Sequence, residues 1–399
     1  MFKCYVTLVC YYTIFIGGGQ VRRGTVMTEI YVIRHVEAEG NLYRMMQGKW
    51  DGGVTSLGSM QRDALSQRFK DIHIDALYSS PLYRARFTAT AITRYHDLEI
   101  QIEPRVSEID SAHWEGVPFG NLIMEQGEQF NNFLRSPEDF KLEGAETFYD
   151  VQKRAMEALI EIAQRHDGQT VAITSHGVAI RCALTGVLGL RLNDVETVPI
   201  FNNTGVARLF YENGKFTADY INDDSHLKGL PPSSHGKLTA MWHKFIDPRE
   251  HRDFYIDCYR NSWLSAHGNL EGFDPEIYYA AAIEHYKADD KCIYMICNRD
   301  EPVGIVELDT RRGAHAGYGW ISLLYLREDY RKRGLGIQLL GRAVMKYQAL
   351  GRNTLRLHVS DDNTAALAFY KKYGFRLLST EPGVGSKLYL MERPLRSEF

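Results

Sequence analysis

Two apolar runs that each end on a histidine constrain this chain more than any other feature. Ile30-Tyr31-Val32-Ile33 leads into Arg34-His35, and Val171-Ala172-Ile173-Thr174-Ser175 leads into His176-Gly177. In a repeating βα arrangement the C-terminal strand ends open into one shared crevice, so two histidines far apart in sequence can meet there. Between them stand Arg84, at the strand-to-helix junction Leu77-Tyr78-Ser79-Ser80-Pro81-Leu82-Tyr83-Arg84-Ala85, and Glu108, in Ser107-Glu108-Ile109. A lone histidine at a strand end is usually structural. Two histidines, two arginines and a carboxylate in this order suit metal-free phosphoryl transfer through a phosphohistidine.

The surrounding pattern predicts an α/β fold. Strand-like runs at 30–34, 75–79 and 170–175 are each followed by a stretch of helical period. Thr147 to His166 is the clearest helix, with Val151, Ala155, Ala158, Leu159 and Ile162 on one apolar face. Alternation of this kind predicts a mainly parallel sheet covered on both faces. Ala207–Tyr211 and Phe216–Ile221, joined through Glu212-Asn213-Gly214-Lys215, read as a closing hairpin.

A length of 399 residues predicts two or three domains. Linker composition appears at Gly229-Leu230-Pro231-Pro232-Ser233-Ser234-His235-Gly236. The boundary is therefore expected there, giving domains at 27–230 and 231–399. The second half reads as strand-rich, with candidate strands at Cys292–Cys297, Val303–Leu308, Tyr318–Leu326, Thr354–Val359 and Lys387–Met391.

The strand ending at Leu326 runs into Arg331-Lys332-Arg333-Gly334-Leu335-Gly336 and then a helix-like stretch from Ile337 to Ala349. A glycine-containing loop that opens a helix presents backbone N–H groups and the positive helix end to a pyrophosphate. A solvated basic turn is the commoner explanation for such a loop alone. Downstream, however, stands Asn363-Thr364-Ala365-Ala366-Leu367-Ala368-Phe369-Tyr370-Lys371-Lys372-Tyr373-Gly374-Phe375.

From Thr28 to Leu230 the chain resembles the histidine phosphatase (phosphoglycerate mutase-like) superfamily. The matching stretches are Arg34-His35-Val36-Glu37 with Asn41, Gln47-Gly48, Thr55-Ser56-Leu57-Gly58, Ser79 to Ala85 with Thr88-Ala89, Glu108 with Trp114-Glu115-Gly116, Glu143 to Thr147, Ser175-His176-Gly177 and Asn203-Thr204. The resemblance implies a three-layer α/β/α fold. It makes His35 the nucleophile, Arg34, Arg84, Asn41, Gln47 and an imidazolium His176 the phosphate contacts, and Glu108 the general acid and base. Where the family usually has Gly after the nucleophile, this chain has Val36, which costs little only if that position lies at ordinary strand-like angles. Glu37, Glu115, Glu143 and Glu146 read as charged neighbours, the last three orienting other groups.

From about Ser234 to Arg393 the chain is similar to the GNAT family of N-acetyltransferases. The resemblance implies a GNAT-like α/β fold that takes acetyl-CoA. Its pyrophosphate would meet Arg331, Lys332, Arg333, Gly334, Leu335 and Gly336, and its pantetheine arm the strand backbone at Leu324 and Leu326. Asn363 would lie on the cofactor side, and Tyr370 would protonate the departing thiolate. Glu307 could serve as a base, although an exposed strand carboxylate is the preferred reading. The region before Cys292, expected to shape the acceptor pocket, carries no readable motif.

A net charge of −3 with interspersed signs argues against a nucleic-acid surface. The six cysteines form no Cys-x-x-Cys, so neither zinc nor a disulfide framework is expected, and Cys182 and Cys292 read as core residues. The apolar stretch Tyr5–Ile16 is shorter than the roughly 20 residues a spanning helix needs. Residues 1–26 are read as an appendage outside the fold, with no membrane partner and a cytoplasmic location, secretion being the alternative. The function expected is bifunctional: hydrolysis of a small-molecule phosphomonoester and acetylation of an amine acceptor. A phosphoglycerate mutase, or an inactive phosphate-ligand sensor regulating the acetyltransferase, are the alternatives.

Overall fold

The computed structural model describes residues 27–233, 239–383 and 386–395, so the expected appendage at 1–26 lies outside the described residues. The chain divides into two compact units, the second comprising Leu42–Met45, Pro118–Glu125 and the chain beyond the linker, the first the remainder.

The first unit is built on a six-stranded sheet of β1 (Thr28–Arg34), β2 (Ala76–Ser79), β3 (Ile100–Ile102), β4 (Thr170–Ser175), β5 (Val206–Glu212) and β6 (Lys215–Asp223). Its order is β3-β2-β4-β1-β5-β6. The first four strands pair in parallel, and β5 and β6 continue the sheet antiparallel as the expected hairpin. Strand periodicity explains why β1 is apolar at consecutive positions. Ile30 and Val32 pack into a core with Ala155, Leu159 and Ile162 of helix Phe148–Arg165 and Ile180 of helix Gly177–Val187. Tyr31 and Ile33 face the opposite core, with Leu65 and Phe69 of helix Ser56–Phe69 and Ala89 and Ile92 of helix Tyr83–Thr93. Helices therefore cover both faces, giving three layers.

The second unit carries a seven-stranded sheet, ordered β12-β13-β11-β10-β9-β8-β7. Its strands are β7 (Trp242–Phe245), β8 (Ile293–Asn298), β9 (Glu301–Asp309), β10 (Tyr318–Leu326), β11 (Thr354–Ser360), β12 (Arg376–Pro382) and β13 (Lys387–Pro394). Only β10 and β11 are parallel, and they pair from Tyr318↔Thr354 to Ile321↔Leu357. Beyond Ile321 both strands continue without pairing to each other. On its other edge β10 bulges against β9 between Ile321 and Leu323.

Three strands and several helices escape the sequence pattern, Phe119–Glu125 and Gly127–Arg135 among them. β3 has only three residues, and β12 is exposed at almost every position, so neither shows alternation. β7 is a four-residue strand with one buried position. Helices Arg252–His267 and Pro275–Ala288 bury only Tyr255 and Cys258, and Ala282, and so lack a wide apolar stripe.

Helix Phe148–Arg165 begins in a capping box. The Thr147 hydroxyl accepts from the Asp150 N–H at 3.1 Å, and the Asp150 carboxylate accepts from the Thr147 N–H at 3.1 Å. Thr147→Ala removes the cap and should lower unfolding stability by about 1 kcal/mol. Urea titration of the full-length protein measures this, and an unchanged midpoint would contradict the capping assignment.

Candidate functional site

The parallel register sets the first site. Arg34 on β1 lies opposite Ser175 on β4, so His35 and His176 each stand one residue beyond paired strand ends. His35 N–H donates to the Ser175 carbonyl at 2.9 Å, and the two imidazole centroids are 5.2 Å apart. Arg84 arrives from the first turn of helix Tyr83–Thr93 after β2, and Glu108 from the loop beyond the short turn Pro104–Val106. Arg34, His35, Arg84, Glu108 and His176 are all buried.

Each side chain is held by local structure. His35 Nδ1–H donates to the Val36 carbonyl at 2.6 Å. That tautomer places the lone pair on Nε2. His176 Nε2 is 2.7 Å from Ser80 Oγ. The Arg84 guanidinium donates to the carbonyls of Trp50 at 3.0 Å and Gly48 at 2.9 Å, and pairs with Asp51 at 3.3 Å. Arg34 donates to the Phe201 carbonyl. The Glu108 carboxylate accepts three backbone N–H bonds, from Ile109, Val178 and Ala179 at 3.0 to 3.2 Å, two of them from the start of helix Gly177–Val187. A Cβ built on Gly177 would touch both Arg34 Nε and Glu108 Oε2, within 3.8 Å, so these two groups share one wall.

Several buried polar atoms have no hydrogen-bond partner among the described residues: Arg34 Nε, Arg84 Nε, His176 Nδ1 and Gln47 Oε1. The two unsatisfied guanidinium donors carry a desolvation cost that an anionic oxygen would relieve, whereas Gln47 Oε1 is an acceptor and calls for a donor. Burial lowers the Arg34 pKa to about 10, with Arg84 adding to the effect and Glu108 opposing it. Burial also pushes the His176 imidazole well below its usual value, reinforced by Arg84, His35, Lys49 and Arg34. The imidazolium expected from the sequence would therefore need an anion beside it. Low dielectric and neighbouring cations favour the neutral ring until an anion arrives.

Asn41 is fixed by its neighbours, and the Gln47 carbonyl accepts from the Arg84 guanidinium at 3.4 Å. Asn41 Oδ1 accepts from the Ala38 N–H at 3.0 Å and from Asn203 Nδ2 at 3.4 Å, while Asn203 also donates to the His35 carbonyl at 3.0 Å. Glu37 accepts from the Thr55 hydroxyl at 2.9 Å, and Glu115 holds the Lys49 and Trp50 N–H groups at 2.9 and 2.6 Å. Glu146 pairs with Arg154, which reaches the Glu108 carbonyl at 3.1 Å. Sequence reading assigned no role to Lys49, whose ammonium donates to the Glu108 carbonyl at 3.0 Å, nor to Ser80 and Arg154. Ser80 lies inside a matched motif and could have been singled out, whereas Lys49 and Arg154 leave no local signal.

In the second unit, Leu324 and Leu326 lie on the part of β10 that has separated from β11. Lys332 and Gly334 take left-handed backbone angles, φ 58° and 75°, just before helix Gly336–Ala349, and Leu335 is its N-cap. Turns of this handedness gather successive N–H groups into a concavity. The Arg331 side chain is turned away, donating to the Leu326 carbonyl at 2.6 Å and the Ser265 hydroxyl at 3.1 Å. Arg333 lies over the Tyr330 ring. Asn363 caps helix Thr364–Lys372 through the Ala366 N–H at 3.0 Å. Tyr370 packs against Phe369 and Phe375, and burial raises its phenol pKa, keeping it protonated.

Glu307 corrects an expectation. It is not an exposed strand carboxylate but 1% exposed, accepting from the Tyr255 hydroxyl at 2.9 Å and lying 2.6 Å from His285 Nδ1. Both partners come from the two helices whose chemistry the sequence left unread. His285, Glu307 and Asp309 border a cavity of about 440 Å³ that also meets Tyr259, Trp263 and the β10 bulge. Among the described residues no group of three or more His, Cys, Asp or Glu is arranged to hold a metal, and no helix is long and apolar enough to cross a membrane.

Residues 30–224 match the model of the histidine phosphatase superfamily (branch 1), and residues 250–375 that of the acetyltransferase (GNAT) family. Phosphoserine phosphatase 1 of Hydrogenobacter thermophilus is 34% identical over 164 residues, which cover 40% of this chain and 78% of the relative. The chain belongs to the histidine phosphatase superfamily. It carries a GNAT acetyltransferase domain as well. Probable phosphoglycerate mutase GpmB of Escherichia fergusonii is 26% identical over 206 residues, 50% of this chain and 95% of that protein. The solved structure of Bacillus stearothermophilus YhfR is 30% identical with a TM-score of 0.49, covering 50% of this chain and all of that one.

Against the pattern of the histidine phosphatase superfamily, Val36 is the one departure noted, and its φ is not positive. Its backbone instead holds the nucleophile-type histidine, with the carbonyl on His35 and the N–H on Thr88 Oγ1 at 2.9 Å. The buried pocket of the superfamily site also fixes a titration. In the ligand-free protein the His176 ring should stay neutral at pH 6.5, read from ring ¹⁵N shifts, and should gain a proton only on binding vanadate or phosphate. An imidazolium signal at pH 6.5 without an anion would contradict this.

Proposed function

We propose that the protein is a bifunctional enzyme, hydrolysing a small phosphomonoester through a phosphohistidine at His35 and acetylating an amine with acetyl-CoA. The observation that carries the first activity is the pinned tautomer of His35, facing unpartnered guanidinium and imidazole nitrogens. His35 Nε2 attacks phosphorus in line, the bond to the ester oxygen breaks, and Glu108 gives that oxygen its proton. Glu108 then takes a proton from water, which displaces phosphate from His35. Charge on the non-bridging oxygens is met by Arg34, Arg84 and His176, so fixed cationic donors stabilise a loose transition state without a metal. Asn41 and Gln47 complete the phosphate cradle.

For the second activity, acetyl-CoA supplies an acetyl group as an activated thioester. The left-handed turn at Lys332 and Gly334 and the separated edge of β10 fit its pyrophosphate and pantetheine arm. Arg331, Lys332, Arg333, Gly334, Leu335 and Gly336 line the first contact, Leu324 and Leu326 the second, with Asn363 beside them. Tyr370 gives its proton to the leaving sulfur. The amine nitrogen becomes an amide, losing two protons from its ammonium form, one finally to sulfur and one to solvent. The domains at 27–230 and 231–399 would each carry one of these activities. Hydrolysis is preferred over mutase transfer because the stretch from Glu108 to His176 is short for an insertion enclosing the mutase substrate. The names of two relatives make O-phosphoserine and the phosphoglycerates the first esters to assay.

His35→Ala should abolish phosphate release from these esters while acetyl transfer continues, and phosphate trapped on the wild type should map to His35. Label on any other residue would overturn the assignment. Glu108→Gln should slow alkyl phosphates far more than p-nitrophenyl phosphate, whose leaving group needs little protonation. Equal losses would remove Glu108 as the acid.

Val36→Gly should leave phosphatase turnover equal or slightly lower, since Val36 is unstrained and buried. A tenfold gain, about 1.4 kcal/mol of barrier, would show that valine obstructs the site.

A further inference from the structure

The cavity beside the β10 bulge holds chemistry that the phosphatase and cofactor sites leave unused. Asp309 lies directly opposite Trp320 on the β9–β10 ladder, and Glu307 opposite Leu323, so the two carboxylates bracket the bulge at Ser322. His285 bridges them, Nδ1 at 2.6 Å from Glu307 and Nε2 at 3.3 Å from Asp309. Burial alone would lower the His285 pKa, but its bonds to Asp309 and Glu307 outweigh that and raise it to about 9. The trio sets two carboxyl groups against one imidazole, and its Asp309 end is partly open, with Oδ1 also accepting from the Arg311 and Arg312 N–H groups at 3.0 Å.

Three residues on from Asp309, Arg312 lies flat on the Trp320 ring, its guanidinium carbon 3.3 Å from the ring centroid. It is exposed, lines the same cavity, and its side chain has no hydrogen-bonding or ion-pair acceptor among the described residues. Stacking on an indole leaves the in-plane N–H fork open to a carboxylate. The opposite wall is aromatic, with Tyr259 stacked on Tyr278 at 4.2 Å. Beside it the Trp263 indole N–H is buried and without a partner. One cavity thus offers an anionic end, a cationic fork a few residues away, an apolar wall and an unmet donor.

We infer that the acetyl acceptor is a free α-amino acid with an apolar or aromatic side chain. Its ammonium docks on Asp309 beside His285, its carboxylate on Arg312, and its side chain on the wall of Tyr259, Tyr278 and Trp263. The ammonium then lies next to the bulge of β10, on the strand proposed to align the thioester. A simple alkylamine would leave Arg312 unmatched, and an amine lacking an apolar body would leave the aromatic wall wet. The inference rests on the acetyltransferase reading of this domain.

Calorimetry on the full-length protein with saturating CoA tests it, using L-tyrosine, tyramine, which lacks the carboxylate, and 3-(4-hydroxyphenyl)propionate, which lacks the amine. L-Tyrosine should bind at least tenfold more tightly than either fragment. Arg312→Gln, at an exposed position, should erase the preference over tyramine while leaving the tyramine affinity unchanged. Asp309→Asn should erase the preference over the propionate. Tyramine binding as tightly as L-tyrosine, an Arg312→Gln loss shared equally by both, or no L-tyrosine binding would each overturn the inference. Failure of CoA itself to bind would instead overturn the acetyltransferase reading.

Discussion

The parallel pairing of β1 with β4 is the constraint on which the first site depends. Because Arg34 stands opposite Ser175, both chains leave the sheet at the same level, and His35 and His176 emerge side by side. A slip of one residue would reverse the faces of every β1 side chain, sending Ile30 and Val32 into the core built for Tyr31 and Ile33. The two cores are built from different residues, so the register is fixed by packing along the whole strand. The site inherits that precision.

The same enclosure creates an electrostatic problem that the backbone solves only in part. Arg34 and Arg84 are buried charges, and burying a charge is costly unless it is paired or hydrogen-bonded. Loop carbonyls at Gly48, Trp50 and Phe201 take several guanidinium protons, and Asp51 supplies a countercharge to Arg84. The Nε positions stay unmatched, as does His176 Nδ1. A pocket that is fully folded yet short of acceptors favours an oxyanion before any chemistry begins. Its own cations also keep His176 neutral until that oxyanion arrives, so ligand charge and imidazole charge are coupled.

What the sequence made legible follows from how local each signal is. The consecutive apolar positions of β1 and β4, the apolar face of helix Phe148–Arg165, and the turn at Asn213 and Gly214, both at positive φ, are each written within a few residues. The order of His35, Arg84, Glu108 and His176 was also readable; the fold sets the two imidazoles 5.2 Å apart, with Arg84 near enough to act on His176 and Glu108 on Arg84. Contacts made across the fold left no such trace. Glu307 on an apolar strand looks like a solvent-facing charge until Tyr255 and His285 arrive from helices Arg252–His267 and Pro275–Ala288. Those helices are themselves faint in sequence because they bury so few residues. The charge state of His176 is likewise a property of its surroundings, invisible in Ser175-His176-Gly177.

On the proposed reading, the two units would meet anions by different means. In the first, the donors are mainly side chains, and strand geometry serves to aim them. In the second, Arg331 spends its guanidinium on Leu326 and Ser265, and Arg333 leans on Tyr330, so two of the three basic residues of the loop help to hold its shape. On the proposed reading, a pyrophosphate would be faced by the Lys332 side chain, the backbone of the Lys332–Gly334 turn and the start of helix Gly336–Ala349. Backbone N–H groups cannot be titrated away and need no rotamer search, which suits a ligand that must be held but not transformed at that end. Side chains with a proton to give or take are concentrated where bonds would change, at His35 and Glu108 in one unit and at Tyr370 in the other.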